Sequence, residues 1–261
     1  MKILDGRLLS EKILENLKSW QKPVQQLAIL VPYTNDGPSE GFLAEVRGAA
    51  QVLGLRVRVH YKTPFATTDE FIDDLNRLAA DPEVGGIVLI LPLPKGVDRA
   101  KILKAIPVGK DIDALNPDNS TVVSPASFAV KHIWYELQND LDPDVRWEMA
   151  VVGRGLLIGK PVAEMLRKEE QNVTVYNSKT SLEGLKKAMM VILGTGVPKL
   201  VSPSMLQEKA IVIDFGYPGD FDHAHPEADK ISWYVPAKGG TGPLLVACLM
   251  ETFYLLTRNS K

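Results

Sequence analysis

The sequence predicts an α/β protein of two lobes with parallel sheets. Three observations carry this. Short apolar runs alternate with amphipathic segments of helical period, which implies parallel strands joined by crossover helices. The alternation occurs on both sides of residues 120–145 without any repeat of the sequence itself. And 261 residues suffice for two modest cores.

The elements follow in order. Residues 7–19 place Leu8, Leu9, Ile13, Leu14 and Leu17 at helical spacing. Gln26–Val31 is a short apolar run ending at Pro32, as a buried strand would. A turn-rich loop precedes a helix over 40–53 that ends near Gly54. Arg56–Tyr61 alternates as a strand. Thr68–Ala80 is a helix whose acidic first turn complements its dipole. Val84–Leu91 is a buried strand stopped by Pro92 and Pro94, and residues 98–105 form a further helix. Pro125 and Asp142-Pro143 bracket a helix that could link the lobes. In the second half, strands are expected at Glu148–Val152, Asn172–Tyr176, Met189–Leu193 and Ile211–Phe215. Helices are expected at Lys160–Lys168, Ser181–Lys187 and from about Pro243 to Thr257.

Composition narrows the function classes. With 30 basic and 32 acidic residues the net charge is −2, which argues against nucleic acid or an anionic membrane as partner. No run approaches about 18 consecutive apolar residues, so no membrane span is expected. The N-terminus carries acids and no long apolar run, unlike a signal peptide. The single cysteine, Cys248, sits among leucines and valines and reads as a small core residue. One thiol fits a reducing, cytoplasmic setting. His132, His223 and His225 lack ligand-like neighbours and His60 lies in a strand pattern, so no metal site is expected.

The clearest chemical signal is Val151–Gly159, a strand running into G-x-G-x-x-x-G at a helix start. Gly153 suits the tight turn, Gly155 lets a pyrophosphate approach the backbone, and Gly159 permits close helix–strand packing. The helix N-terminus supplies free N–H groups for phosphate. About 20 residues on, where NAD sites place an acid on the ribose, the chain reads Tyr176-Asn177-Ser178-Lys179-Thr180 with no acid. Arg154, Ser178 and Lys179 suit a 2′-phosphate, so NADP is favoured, with NAD as the alternative.

Several blocks together resemble the methylene-tetrahydrofolate dehydrogenase/cyclohydrolase family. They are Met1–Leu9, Gly86-Ile87-Val88, Leu91-Pro92-Leu93-Pro94, Lys110–Asp113, Gly153 through Pro161, Ser178-Lys179-Thr180, Gly196-Val197-Pro198, Val212-Ile213-Asp214, Gly219–Asp222 and Gly239–Pro243. Each is weak, but their order from residue 1 to about 250 is specific. The resemblance implies two α/β lobes around a cleft, the second a Rossmann-type parallel-sheet dinucleotide-binding domain. Residues 1–121 and 242–261 would form the folate-type catalytic lobe, and 122–241 the NAD(P)-binding domain. It implies a homodimer, a folate-type substrate, and cofactor contacts at Gly153, Arg154, Gly155, Ile158, Gly159, Ser178, Lys179, Gly194, Thr195, Gly196 and Pro198. Asp113 would anchor the pterin ring, with Pro236, Gly239 and Gly240 at the substrate.

Against that pattern the folate-site helix departs. The family's tyrosine is Phe42, its lysine four residues on is Val46, a second lysine is Gly48, and the glutamine before LPLP is Ile90. Three polar groups aimed at one carbon have become apolar. Arg47 is rotated about 100° round the helix and is too basic to shuttle protons. The glycine after Asp113 is Ala114, the serine after Arg154 is Gly155, and the C-terminal loop carries Lys238 where the family has proline. Lys238 is either an exposed loop lysine, a partial replacement for the lost catalytic one, or a contact for an anionic ligand there. Three functional readings follow. The first is an NADP-dependent methylenetetrahydrofolate dehydrogenase whose cyclohydrolase step is doubtful or lost. The second is a non-catalytic nucleotide- or folate-binding relative acting as regulator or partner subunit. The third is a dehydrogenase for another one-carbon pterin carrier.

Overall fold

The computed structural model describes residues 1–33, 37–119, 121–138 and 147–258. The chain divides into two compact units. One comprises Met1–Ser10 and Ala126–Leu245, the other Glu11–Pro125 and Val246–Lys261.

The first unit is built on six parallel strands. These are β1 (Lys2–Ile3), β5 (Glu148–Val152), β6 (Asn172–Tyr176), β7 (Met190–Leu193), β8 (Ile211–Asp214) and β9 (Trp233–Val235), in the order β1-β9-β8-β7-β5-β6. The central strands are apolar throughout, as strands covered on both faces must be: Val151, Val191, Ile192 and Val212 are fully buried. Helix α6 (Gly159–Lys168) crosses from β5 to β6. Its apolar face, with Val162, Ala163, Met165 and Leu166, is buried. Helix α5 (Pro125–Leu137) precedes the sheet, and the segment expected to end it, Asp142-Pro143, lies outside the described residues.

The second unit holds three parallel strands, β2 (Gln26–Val31), β3 (Val57–Tyr61) and β4 (Val84–Leu89), in the order β3-β2-β4. Central β2 has Leu27, Ala28, Ile29 and Leu30 wholly buried, each large side chain contributing about 2 kcal/mol from area removed from water. Helix α2 (Gly37–Val52) follows β2, α3 (Thr68–Ala80) follows β3, and α4 (Arg99–Ala105) follows β4. In α3 a capping box sets the start: the Glu70 N–H donates to Thr67 Oγ1 at 3.3 Å, and the Thr67 N–H donates to Glu70 Oε2 at 2.7 Å. Phe71, Leu75 and Leu78 then form its buried stripe. Helices α1 (Gly6–Lys18) and α7 (Gly242–Arg258) each begin in the first unit and continue in the second.

The structure departs from expectation at particular places. The first ten residues, expected in the catalytic lobe, join the six-stranded unit because β1 pairs with β9, with Lys2 opposite Trp233 and Ile3 opposite Tyr234. Two residues carry no legible alternation, and β9 has only three. Residues 242–245 also fall in that unit, and 122–125 in the other. The helix expected at Ser181–Lys187 is a 3₁₀ turn over Glu183–Lys187, too short for an α-helix nucleus. The stretch Ala237–Arg258 is by length and hydropathy able to cross a membrane, although no unbroken apolar run announces it; its most apolar window is 61% buried within the protein, as core helices are.

Candidate active site

The carboxyl ends of β5, β6 and β7 lie side by side, since Val152 pairs with Tyr176 on one flank and with Leu193 on the other. The chain therefore leaves β5 toward β6 and returns on the opposite side at β7. That reversal is the topological switch point at which open α/β sheets bind ligands. The glycine turn sits there. Gly153 has φ 114°, and a β-carbon on it would fall 2.6 Å from the Gly194 carbonyl oxygen. A β-carbon on Gly159 would meet the Gly153 oxygen at 2.2 Å. Both are excluded by backbone. Gly155 differs: a β-carbon there would have only the Gly194 oxygen, at 3.9 Å, within reach. The backbone at Gly155 thus faces open space in front of α6, the place a pyrophosphate occupies. Ile158 closes the turn against Gly194. Arg154, Ser178 and Lys179 are exposed at the ends of neighbouring strands, the last two on a turn pinned by Asn177 N–H to Thr180 Oγ1 at 2.7 Å. These residues fit an NADP-type dinucleotide.

The wall after β7 rests on buried acids that the sequence did not single out as functional. Asp220 Oδ2 accepts the Thr195 N–H at 2.6 Å, the Thr195 hydroxyl at 2.7 Å and the Gly196 N–H at 3.3 Å. Asp214 accepts the Gly216 N–H at 2.9 Å and the Phe221 N–H at 3.0 Å, with the Tyr234 hydroxyl at 3.4 Å. Burial pushes the Asp214 carboxyl up to about 6, against the pull of those backbone N–H groups. Burial also raises the Tyr234 phenol, with the Asp214 charge adding to it.

After β9 comes the turn Ala237–Thr241. Gly239 has φ 76°, and the Thr241 hydroxyl donates to the Asp214 carbonyl at 2.7 Å. A β-carbon on Gly6 would lie 1.9 Å from the Gly240 oxygen, so the start of α1 needs glycine to sit on this turn. Pro236 stacks on Gly240. Lys238 is exposed and makes no hydrogen bond or ion pair among the described residues.

In the three-stranded unit, α2 presents Phe42, half-buried, and Val46, fully buried. Ser39 Oγ reaches the Leu91 carbonyl at 3.5 Å, which ties the start of α2 to the end of β4. Ile90, 2% exposed, follows β4 and bonds through its N–H to Leu30. Asp111 pairs in parallel with Ile87, so the chain carries Asp113 toward the same end of β4. Asp113 is half-buried, and no hydrogen bond to its carboxylate is made among the described residues. Burial, then the Asp111 charge, pushes its carboxyl up to about 8. Ala114 takes a left-handed conformation, φ 54°.

Comparison with known proteins gives this geometry its family. Residues 4–113 match the catalytic domain of tetrahydrofolate dehydrogenase/cyclohydrolase, and residues 130–261 match its NAD(P)-binding domain. The chain belongs to the tetrahydrofolate dehydrogenase/cyclohydrolase family. It is 30% identical to the bifunctional protein FolD of Nautilia profundicola, over 99% of this chain and 98% of that one. The crystal structure of the bifunctional FolD enzyme of Campylobacter jejuni superposes with TM-score 0.90 at 26% identity, covering 100% of both chains. A Trypanosoma brucei methylenetetrahydrofolate dehydrogenase-cyclohydrolase, solved with NADP and an inhibitor, shares the fold with TM-score 0.88 at 24% identity over 99% of this chain and 98% of that one.

For this tetrahydrofolate dehydrogenase/cyclohydrolase relative, the expected residues fall into two groups. Gly153, Arg154, Gly155, Ile158, Gly159, Ser178, Lys179, Gly194, Thr195, Gly196 and Pro198 follow the carboxyl ends of β5, β6 and β7 in the six-stranded sheet. Pro236, Lys238, Gly239 and Gly240 follow the carboxyl end of β9 in the same sheet. Phe42, Val46, Ile90 and Asp113 belong to the three-stranded unit. Asp214 and Asp220 lie in blocks of the family resemblance, but their burial and partners were not readable there.

Proposed function

We propose that the protein oxidises 5,10-methylenetetrahydrofolate to the methenyl form with NADP, and that the hydrolytic step typical of its family is lost or much weakened. The observation that carries this is the apolar character of all three positions: Val46 and Ile90 are 0% and 2% exposed, and Phe42 is half-buried. Water attack on a methenyl carbon needs a group to take a proton. None of these three side chains holds one. Hydride transfer depends chiefly on bringing two bound partners into line, and the loss of a proton-accepting group does not oppose it. When bound, the nicotinamide supplies the hydride acceptor. The chain's part is to bind and to orient. Open backbone at Gly155 and the N-terminus of α6 receive the pyrophosphate. Arg154, Ser178 and Lys179 favour a 2′-phosphate. Asp113, whose carboxyl accepts no hydrogen bond among the described residues, offers it to the donors of a pterin ring. Lys238 is the one basic side chain in the Ala237–Thr241 turn and the candidate for contact with an anionic part of the substrate.

The same apolar trio favours a second reading, a relative that binds nucleotide or folate without turnover. The first reading carries with it the cytoplasmic homodimer that the family resemblance implies, and the second a regulator or partner subunit. Absorbance under methylenetetrahydrofolate and NADP separates them. NADPH should appear together with methenyl product that accumulates. Its prompt hydrolysis would refute the loss of the second step. Absence of NADPH at high enzyme concentration, with NADP still bound, would establish the second reading.

A further inference from the structure

We propose that Asp220 is a positioning residue for the dinucleotide, holding the loop Gly194–Pro198 against the glycine turn through Thr195. The proposal rests on the nucleotide reading given above. Its geometry is a short chain of contacts within one unit. Three donors from Thr195 and Gly196 converge on one carboxylate oxygen, Asp220 Oδ2, at 2.6, 2.7 and 3.3 Å. The Thr195 hydroxyl, while donating to Asp220, also accepts the Val197 N–H at 3.1 Å. Backbone bonds tie the same loop to the acid's own segment: Lys199 N–H to Gly219 at 3.0 Å, and Val201 N–H to Asp220 at 3.0 Å.

On its other side the loop meets the turn. The Thr195 methyl lies 3.3 Å from where a Gly153 β-carbon would stand, and the Gly194 oxygen 2.6 Å from it. A shift of Thr195 therefore moves the wall of the phosphate turn. Asp220 cannot follow such a shift. It is fully buried, a β-carbon on Gly216 would fall 1.9 Å from its Oδ1, and Asp214 fixes both Gly216 and Phe221 around it.

The distribution of partners argues for more than stability. Among the described residues Asp220 Oδ1 is buried and accepts no hydrogen bond, while Oδ2 accepts three. A buried carboxylate with one bare oxygen is costly to keep, and the gain is a rigid loop at the cofactor.

Calorimetric titration of NADP into the full-length chain tests this, with melting midpoint and substrate affinity measured in parallel. Thr195→Val keeps the shape and removes the hydroxyl, and its Kd for NADP should rise about tenfold. Thr195→Ser keeps the hydroxyl and should stay within about twofold of the unaltered protein. Asp220→Asn, if it folds, should resemble Thr195→Val, and the double variant should be no weaker than the weaker single one, because both cut the same contact. A folded Thr195→Val with unchanged Kd overturns the positioning role alone. So does a Thr195→Ser as weak as Thr195→Val. An unaltered chain that binds neither NADP nor NAD overturns the nucleotide reading, and the proposal with it.

Discussion

Asp111 and Asp113 sit two residues apart with opposite surroundings. The Asp111 carboxylate accepts the Leu115 N–H at 3.1 Å, the Asn116 N–H at 2.8 Å and the Asn119 side-chain amide at 3.1 Å. The Asp113 carboxylate accepts none among the described residues. Asp111 is thus committed to holding the turn, whereas the Asp113 carboxyl takes no part in these bonds.

A pH dependence follows. The folded carboxyl of Asp113 is held up near 8, above its ordinary 3.8, by burial and the Asp111 charge. The folded protein binds a proton here that the unfolded chain has released. This contribution to stability is fully present below about pH 4 and is lost as pH rises through 8. Urea unfolding at pH 5 and pH 9 should show a larger fall for the unaltered protein than for Asp113→Asn. An equal fall in both would refute it.

Ala114 should respond to a simple change. It holds φ 54°, where an alanine costs about 1–2 kcal/mol, and part of that is offset by glycine's greater freedom when unfolded. Ala114→Gly should stabilise the protein by about 1 kcal/mol in denaturant unfolding. A loss of stability would show that the turn gains from the methyl group.

The glycine turn offers a contrast between two alanines. Gly159→Ala drives a β-carbon to 2.2 Å from the Gly153 oxygen and should lower stability by about 2 kcal/mol, along with NADP binding. Gly155→Ala meets nothing nearer than 3.9 Å and should melt as the unaltered protein does, while binding NADP at least about tenfold more weakly. Equal affinity in Gly155→Ala would move the pyrophosphate elsewhere.

Arg154 is exposed at the turn, where a guanidinium can pair with a 2′-phosphate. Arg154→Ala should raise Kd for NADP about tenfold and leave that for NAD unchanged. Parallel losses for both nucleotides would instead assign Arg154 to the pyrophosphate.

Much of the secondary structure was legible because it is local. Helix α3 runs over Thr68–Ala80 as expected, since its capping box and its stripe of Phe71, Leu75 and Leu78 lie within one segment. Strands β2, β5 and β6 match their expected bounds because each is an apolar or alternating run between turns. By contrast β1 and β9 exist through their pairing, and so the first ten residues were expected with the other unit.

The sequence by itself determined the α/β class, the glycine turn and the replacement of three polar residues by Phe42, Val46 and Ile90. These are matters of residue identity, spacing and period. The tertiary structure decided that Asp220 grips Thr195 across 25 positions and that Gly6 must leave room for Gly240. It also decided that, among the described residues, the Asp113 carboxyl accepts no hydrogen bond while that of Asp111 accepts several. Hydrogen bonds, backbone clearance and desolvation depend on which distant segments meet, and no local pattern encodes that.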